Sequence, residues 1–461
     1  MSQVALVIYP GVPMPMRRIP GDDKTMAAPC PPETPGSPDP LSRSRVPKLI
    51  STFRDGYGMG QFQRDAVAGL TVAIVALPLS MAIAIASGAT PAAGLYAAIV
   101  GGFLVSMLGG SRFQIGGPAG AFIVLIASII DRHGYDGLLL ATLMGGGILI
   151  VMGLTRMGGI IRYVPHAVLV GCTAAIAVII CASQIRDLLG LTLPGKEPGA
   201  ILPKLAALWQ AGPTLNLVAV LISVGVIGTI LLLRRFSPRV PGLLAAVALA
   251  AFASYALDMP VETIGTRFGG IPDGLPVPAW PPFSTDKMLA VLPDAIAIAF
   301  LAGIESLLSA VVADGMTGRR HRADAELVAQ GVANIATAIF GGMCVTGTIA
   351  RTATNIRAGA ASPVAGMLHS VFLLAFIMLA APLASHVPLA ALAGVLAVVA
   401  WNMADRHEVM TLLRGERGRM LVLLLTFGLT ALVDLMIGIA AGCALAFVLY
   451  HLEKKRQAAN P

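Results

Sequence analysis

Long apolar segments recur between residues 65 and 451, and short polar breaks separate them. Each is close to the roughly 20 residues that an α-helix needs to cross the hydrocarbon core of a bilayer. The segments are continuous runs rich in Ala, Leu, Gly and Ile, whereas the strands of a membrane β-barrel alternate apolar and polar residues. Charged residues make up 12% of the chain, about half the share in an average soluble domain. The sequence therefore predicts an all-α polytopic membrane protein.

We predict about fourteen transmembrane segments, two of which are too short to cross a bilayer. The short ones are the third, which starts at Pro118, and the tenth, which starts near Ile349. The fourteen segments cover residues 67–87, 91–109, 118–130, 137–155, 165–184, 213–233, 240–257, 288–313, 323–342, 349–359, 362–381, 387–403, 418–433 and 434–451.

Lysine and arginine residues are distributed unevenly over the loops that these segments define. If the N-terminus is cytoplasmic, 25 of the 32 fall on the cytoplasmic side, six fall outside, and Arg351 falls within the membrane. Cytoplasmic loops of membrane proteins carry such an excess. The pattern predicts a multi-pass protein in the lipid bilayer of a bacterial inner membrane, with both termini cytoplasmic. Because the basic residues are scattered among many loops, we expect no nucleic-acid partner.

The ends of the chain differ in composition from the rest. Proline recurs between residues 29 and 40, so we predict that residues 1–47 form a disordered, Pro-rich cytoplasmic tail. We assign residues 48–451 to a transmembrane domain and residues 452–461 to a cytoplasmic C-terminal tail. Four of the five cysteines lie in apolar segments and none forms a C-x-x-C pair, so we predict neither a disulfide framework nor a metal site.

The two short segments occupy equivalent positions in two halves of the transmembrane domain. At an offset of 232 residues, Gly109-Gly110 aligns with Gly341-Gly342, and Pro118 aligns with Ala350. Seven segments per half is an odd number, so the halves must have opposite orientations, as in many secondary transporters. We therefore predict a 7+7 inverted repeat, with the first repeat in residues 67–257 and the second in residues 288–451.

A Gly-Gly-Pro sequence opens the third segment within the predicted membrane region. Gly116 and Gly117 allow an irregular backbone, and Pro118 suits the first turn of a helix. The free N–H groups of a helix that begins there carry a partial positive charge, which attracts anions. The alternative interpretation is a simple proline kink in a packed helix.

The tenth segment is the most polar stretch within the apolar spans, and it contains Arg351 together with several threonines. An arginine at the bilayer centre costs roughly 2.5–3.5 kcal/mol on insertion scales, so we expect Arg351 to have a functional role. With two half-helix N-termini beside it, the expected ligand is an anion. The alternative is a structural arginine that is paired with a carboxylate such as Glu305.

Glu305 is the single carboxylate in the middle of the eighth segment. A carboxylate at that depth can carry a proton or help to bind a cation. We therefore predict Glu305 as the site of a coupling ion, H⁺ or Na⁺, and we predict no other cofactor. Asp294 and Asp314 lie nearer the ends of the same segment, where we expect them to be solvated.

At these residues the chain resembles the SulP (sulfate permease) family of anion transporters, which includes the eukaryotic anion exchangers and prestin. The resemblance extends over nearly all of the membrane part, from about residue 65 to residue 451. Its landmarks are residues 65–72 leading to Pro78, then residues 94–96, Gly117-Pro118, residues 303–306 and residues 351–355.

The resemblance implies core and gate domains, elevator-like movement of the core, and a substrate between the first, third, eighth and tenth helices. It implies a substrate that is a small inorganic or carboxylate anion of the sulfate, bicarbonate or dicarboxylate class. Such anions are often moved together with protons or sodium. The assembly that we consider for this chain is a homodimer. By position it implies substrate-binding roles for Pro78, Leu79, Ser80, Gly117, Pro118, Ala119, Glu305, Thr348, Ile349, Ala350 and Arg351.

The chain departs from the pattern of the family at two points. Many animal members have Ser directly before the arginine of the tenth helix, whereas this chain has Ala350, so one hydroxyl is missing. Most members also carry a cytoplasmic STAS domain after the last helix, and we expect this chain to lack it.

Other functions are less compatible with these residues. A nucleobase-type permease of the same fold binds a neutral ring, for which Arg351 is not suited, and an anion channel is the other alternative. Residues 190–196 resemble a phosphate-binding loop, but Glu197 replaces the required Ser or Thr, and the loop is predicted to be external. We therefore predict that the protein is not an enzyme.

Overall fold

The computed structural model describes residues 46–459, with gaps at residues 160–164, 196–197, 199–200, 238–240 and 434. The Pro-rich tail predicted for residues 1–47 thus lies outside the described residues, apart from Val46 and Pro47. At the other end, the last helix continues to Ala459 and includes most of the predicted C-terminal tail.

Helices make up most of the described chain. They are α1 (Lys48–Arg54), α2 (Met59–Ala86), α3 (Pro91–Tyr96), α4 (Gly102–Leu108), α5 (Ile123–Leu154), α6 (His166–Leu189), α7 (Ile201–Gln210), α8 (Leu217–Phe236), α9 (Gly242–Ala256), α10 (Ile264–Phe268), α11 (Thr285–Thr317), α12 (Ala323–Ile339), α13 (Ile349–Arg357), α14 (Val364–Ala384), α15 (Leu389–Met403), α16 (Arg406–Arg414), α17 (Arg417–Leu432) and α18 (Leu435–Ala459). A π-helical turn, Ala97–Gly101, joins α3 to α4, and a 3₁₀ turn, Gly120–Phe122, leads into α5.

The predicted transmembrane segments coincide with helices of the structure. Within the described residues, eight helical stretches are long and apolar enough to cross a membrane, and two further apolar helices are shorter. The third and fourth predicted segments both fall in α5, which is broken at Gly134, where φ is +70°. An all-α membrane protein is confirmed, whereas the number of fourteen segments stays a prediction.

The helices pack as two groups. In the first group, which we call the core group, α5 packs against α11 and α12, α2 against α14, and α13 against α11. In the second, the gate group, α6 packs against α15 and α17, α17 against α18, and α8 against α9 and α15. The groups meet where α2 contacts α15 and α9.

Two glycines allow a close helix contact in the core group. A Cβ on Gly146 would lie 2.6 Å from the carbonyl oxygen of Gly331, and a Cβ on Gly331 would lie 2.5 Å from that of Gly146. Small residues let helix backbones approach in this way, and packing replaces the hydrophobic effect as the main attraction between helices within a bilayer. The pair therefore fixes α12 tightly on α5.

Two short strands pair with each other within the core group. Strand β1 (Gly116–Gly117) pairs antiparallel with β2 (Thr346–Gly347), with Gly116 opposite Gly347 and Gly117 opposite Thr346. Extended backbone at membrane depth needs hydrogen-bond partners, which each strand finds in the other. The strands come from the two halves of the chain, and α13 follows β2 directly, as the predicted inverted repeat requires.

The sequence suggested that Pro118 lies in the first turn of a helix, but in the structure it lies before the helix. Ala119 is extended, with φ −118° and ψ 146°, and the 3₁₀ turn begins only at Gly120. The carbonyl group of Pro118 therefore lies outside the helix, where it is available to accept a hydrogen bond from another part of the core group.

Candidate functional site

Arg351 lies in the first turn of α13 and is almost completely buried, at 2% exposure. Its Nη2 donates to the hydroxyl of Ser80 at 3.1 Å and to the carbonyl oxygen of Pro118 at 3.3 Å. The Ser80 hydroxyl donates in turn to the carbonyl oxygen of Ala76 at 2.7 Å, so a lone pair of Ser80 faces Arg351. The Nε and Nη1 atoms of Arg351 are buried and have no partner among the described residues.

Arg351 makes no ion pair with Glu305 or with another carboxylate in the part of the chain that the structure describes. The alternative of a structural arginine paired with Glu305 therefore finds no support. The dipole of a helix also disfavours a cation in its first turn. The site thus holds a positive charge without a counter-charge, together with two buried donor atoms that lack acceptors.

The two helix N-termini beside the strands have no side-chain caps. Thr348, the N-cap of α13, donates its hydroxyl to the carbonyl oxygen of Ile115 at 3.3 Å instead of accepting from α13. Ala119, which precedes the 3₁₀ turn, provides no cap either. Ile349 is 40% exposed and Ala350 is exposed. The first N–H groups of α13 therefore remain available to a ligand.

Hydrogen bonds next to Arg351 fasten the segments around the two paired strands to each other. The N–H group of Thr348 donates to the carbonyl oxygen of Ile115 at 3.0 Å, and the N–H group of Ile115 donates to the hydroxyl of Thr352 at 3.1 Å. Asn355 donates to the carbonyl oxygen of Phe113 at 2.9 Å. Thr352 and Asn355 thus form hydrogen bonds with other groups of the protein, and these bonds hold the segment before β1 against α13.

The first helix of the domain contributes Pro78, Leu79 and Ser80, all of which are buried in α2. Of these three residues, Ser80 is the one that accepts a hydrogen bond from Arg351. Gly117 lies against the guanidinium, because a Cβ on Gly117 would collide with Nη1 of Arg351. The structure therefore brings together Ser80, Gly117, Pro118 and Arg351.

Glu305 lies on α11, the helix that packs against both β2 and α13. Its Oε2 atom is buried and has no hydrogen-bond partner among the described residues. Nearby on α11, Ser309 donates to the hydroxyl of Thr352 at 3.2 Å, and the carbonyl oxygen of Ala302 accepts from Thr346 at 2.9 Å. Glu305 thus lies on the helix that packs against β2, and it offers an unpaired acceptor.

We expected Asp294 and Asp314 to be solvated, and this expectation was wrong for Asp294. Asp294 is buried, and its Oδ1 pairs with Arg132 at 2.7 Å, because α5, which carries Arg132, packs against α11. Asp314 is partly exposed and accepts from the backbone N–H group and Nδ1 of His321, at 3.0 and 2.7 Å.

Sequence reasoning missed a row of buried polar residues on α12. Glu326, Gln330 and Asn334 are fully buried and lie four residues apart, so they share one face of the helix. This spacing of polar residues inside an apolar segment was the available signal. Sequence reasoning also missed His369 on α14, which is fully buried and has no partner for either ring nitrogen among the described residues.

The described residues offer little else of chemical interest. A cleft of about 400 Å³ lies in the gate group, and its lining includes Arg186, Asp187 and Glu262 but no predicted site residue. No group of three or more His, Cys, Asp or Glu side chains in the described chain could hold a metal ion.

Comparison with known protein families gives one match over most of the chain. Residues 62–426 match the profile described as the sulfate permease family. The "Putative sulfate transporter YvdB" of Bacillus subtilis is 45% identical over 398 residues, which is 86% of this chain and 74% of that protein. The "Bicarbonate transporter BicA" of Picosynechococcus sp. is 30% identical over 406 residues, which is 84% of this chain and 69% of that protein.

Solved structures have the same fold. The transmembrane domain of a cyanobacterium bicarbonate transporter BicA matches with a TM-score of 0.75 at 30% identity, over 83% of this chain and 98% of that chain. The murine Solute Carrier 26 family member A9 anion transporter in the inward-facing state matches with a TM-score of 0.77 at 17% identity, over 88% of this chain and 71% of that chain. The second likeness concerns the fold alone.

Proposed function

Because the chain belongs to the sulfate permease family, a family of anion transporters, we propose that it is a secondary active transporter of small anions. The proposed substrates are of the sulfate, bicarbonate or dicarboxylate class, in keeping with the names of the sulfate and bicarbonate transporters among its relatives. The proposed location is the inner membrane of a bacterium, with both termini in the cytoplasm and a homodimer as the assembly.

One observation carries this proposal. The guanidinium of Arg351 is buried in the first turn of α13, has no carboxylate partner among the described residues, and leaves Nε and Nη1 unsatisfied. An unpaired buried charge is costly, and an anion removes that cost by supplying both the counter-charge and the missing acceptors. A neutral nucleobase would leave the charge uncompensated.

The surroundings of Arg351 suit a small anion with several acceptor oxygens. The guanidinium can donate from Nε and Nη1, while the uncapped N-terminus of α13 and that of the 3₁₀ turn add backbone N–H groups. Ser80 and the carbonyl group of Pro118 hold the guanidinium from its other side through Nη2. Sulfate, bicarbonate and the carboxylates of a dicarboxylate could each satisfy several of these donors at once.

The location of the whole site within one of the two helix groups favours an elevator mechanism. Ser80 on α2, Gly117 and Pro118 before α5, Glu305 on α11 and Arg351 on α13 all belong to the core group. In the proposed cycle, the core group moves along the gate group and carries the anion with it. The contacts of α2 with α9 and α15 are the surface along which it would slide.

Glu305 is the proposed site of the coupling ion, which is H⁺ or Na⁺. Its unpaired Oε2 lies on α11, which packs against α13, the helix that carries Arg351. An anion beside Arg351 reduces the positive potential and makes a cation on Glu305 easier to bind. Because such linkage is reciprocal, the cation would also increase the affinity for the anion, which is the thermodynamic basis of symport.

Uptake into proteoliposomes tests the function. Radiolabelled sulfate, bicarbonate, fumarate, succinate, chloride and uracil would be supplied one at a time, with and without an inward pH or sodium gradient. We expect uptake of at least one anion, acceleration by one of the gradients, and counterflow when the same anion is placed inside. Anion flux without counterflow would indicate a channel, and uptake of uracil alone would indicate a nucleobase permease.

A further inference from the structure

Glu326 is a fully buried carboxylate on α12 that accepts four hydrogen bonds. Its Oε2 accepts from the backbone N–H groups of Gly110 and Ser111 at 2.9 and 3.2 Å. Its Oε1 accepts from the hydroxyl of Ser306 at 3.2 Å and from Nε2 of Gln330 at 3.0 Å. A buried carboxylate is stable only with such full satisfaction, and here it joins the turn after α4 to α11 and α12.

The contacts of Glu326 fix the direction of a hydrogen-bond chain. Since a carboxylate can only accept, the hydroxyl of Ser306 must donate to Glu326, which leaves its lone pairs for another donor. Nε2 of Gln114 is that donor, at 2.8 Å, and it also donates to the carbonyl oxygen of Ser306 at 3.1 Å. The amide of Gln114 in turn lies against Gly347 in β2, since a Cβ on Gly347 would collide with Nε2.

The same face of α12 also holds the residue that precedes β2. Nδ2 of Asn334 donates to the carbonyl oxygen of Val345 at 2.9 Å, and the N–H group of Val345 donates to Oδ1 of Asn334 at 2.9 Å. One helix face thus fastens the turn before β1 through Glu326 and the start of β2 through Asn334. Both strands lead into the helix N-termini beside Arg351.

We propose that Glu326 is a positioning residue for the anion site, acting through Ser306 and Gln114 to hold β1 and β2 at the separation that binding requires. Its ligand is the anion of the proposed function, on which this inference rests. Ser306 directly follows Glu305, so these hydrogen bonds also fix the part of α11 that carries the proposed coupling site.

The substitution Glu326→Gln tests this role, because it keeps the size of the side chain but replaces one acceptor by a donor. The new amide group must then face another donor, either at Ser306 and Gln330 or at the turn. In purified full-length protein, we expect the dissociation constant of the transported anion to rise about tenfold or more, since a hydrogen bond to a charged group is lost.

Asp324→Asn is the matched control. Asp324 lies in the same first turn of α12, is also buried, and accepts a backbone hydrogen bond from Gly158 at 3.0 Å, but it does not touch Ser306 or Gln114. We expect anion affinity within about twofold of wild type, the usual scatter for independent sites. Wild-type affinity in Glu326→Gln, or an equal loss in Asp324→Asn, would overturn the positioning role.

A double-mutant cycle tests the path through Ser306. Ser306→Ala should also weaken anion binding, and adding Glu326→Gln to it should cause little further loss, because both changes interrupt one chain. Losses that multiply would exclude action through Ser306. Should Glu326→Gln fail to fold, Ser306→Ala, which leaves Glu326 in place, decides by itself, because wild-type affinity in that variant contradicts the inference.

Hydrogen–deuterium exchange gives a measurement that needs no ligand. We expect the backbone amides of residues 110–117 and 345–349 to exchange about tenfold faster or more in Glu326→Gln, but not in Asp324→Asn, because the hydrogen bonds that hold the strands are lost. Unchanged exchange would contradict the inference. If wild-type protein bound none of the anions while exchange increased as expected, the proposed function would fail and the fastening by Glu326 would stand.

Discussion

Gly117 and Arg351 touch each other across the two halves of the chain, because a Cβ on residue 117 would collide with Nη1 of Arg351. The contact places the guanidinium directly against the backbone of β1. Nη2 is held by Ser80 and by the carbonyl group of Pro118, so the guanidinium has little freedom to move away. Residue 117 thus controls where the positive charge of the site lies.

The substitution Gly117→Ala is therefore expected to displace the guanidinium of Arg351. We predict a loss of anion affinity of about tenfold or more, equivalent to one charge-assisted hydrogen bond. Binding of a radiolabelled anion to purified protein measures it. The control is Gly147→Ala in α5, where a Cβ would meet open space and alanine favours the helix. Wild-type affinity in Gly117→Ala would show that the position of the guanidinium does not matter for binding.

Removal of the charge itself should have a larger effect. We predict that Arg351→Ala remains folded in the membrane and loses anion binding by about ten- to a hundredfold, or roughly 1.5–3 kcal/mol. Arg357→Ala removes the same charge from the exposed last turn of α13 and should bind normally. Both affinities are measured with the same anion and at the same salt concentration. Equal affinities for the two variants would show that Arg351 does not bind the anion.

Glu305→Gln should separate anion movement from its coupling. The variant resembles the protonated carboxyl group permanently, so we predict that anion exchange continues while acceleration by an inward pH gradient is lost. Asp286→Asn, in the exposed first turn of the same helix, should keep the acceleration. If wild-type uptake depends on sodium instead, the variant should lose sodium dependence. A normal response of Glu305→Gln to the active gradient would rule out Glu305 as the coupling site.

The two ends of α11 should face opposite sides of the membrane. Arg320 follows this helix, Lys287 lies in its first turn, and both residues are exposed. A helix of 33 residues is about 50 Å long, enough to cross the bilayer. We predict that a membrane-impermeant thiol reagent reaches Lys287→Cys in intact cells, and reaches Arg320→Cys only after permeabilisation. Labelling of both variants in intact cells would contradict the predicted orientation.

The backbone architecture could be inferred from the sequence because its causes are local. A bilayer requires each apolar segment to satisfy its own hydrogen bonds, so segment length and glycine or proline interruptions indicate where helices start and stop. Thus Ile349 marks the start of α13 both in the sequence and in the structure. The helix start predicted at Pro118 is two residues too early, because proline is compatible both with a first helical turn and with the extended backbone before it.

The partners of the polar residues could not be inferred in the same way. Ser80 accepts from Arg351, which lies 271 residues further along the chain, and Arg132 pairs with Asp294, which lies 162 residues further along. Such pairings depend on tertiary distances of a few ångströms, which hydrophobic patterns do not encode. Glu326 lay within a predicted segment, but the four donors that surround it come from three separate parts of the chain.

The N-terminal helix α1 is attached to the core group. The backbone N–H group of Lys48 donates to Gly109, Arg322 donates to the carbonyl oxygen of Val46, and Asp55 pairs with Arg112. All three partners belong to the core group, whereas α18 packs within the gate group. Helices α1 and α18 therefore lie on different helix groups, and the proposed elevator cycle moves these groups relative to each other. A donor fluorophore fused before residue 46 and an acceptor fused after residue 461 would convert displacement of one group along the other into a change in energy-transfer efficiency.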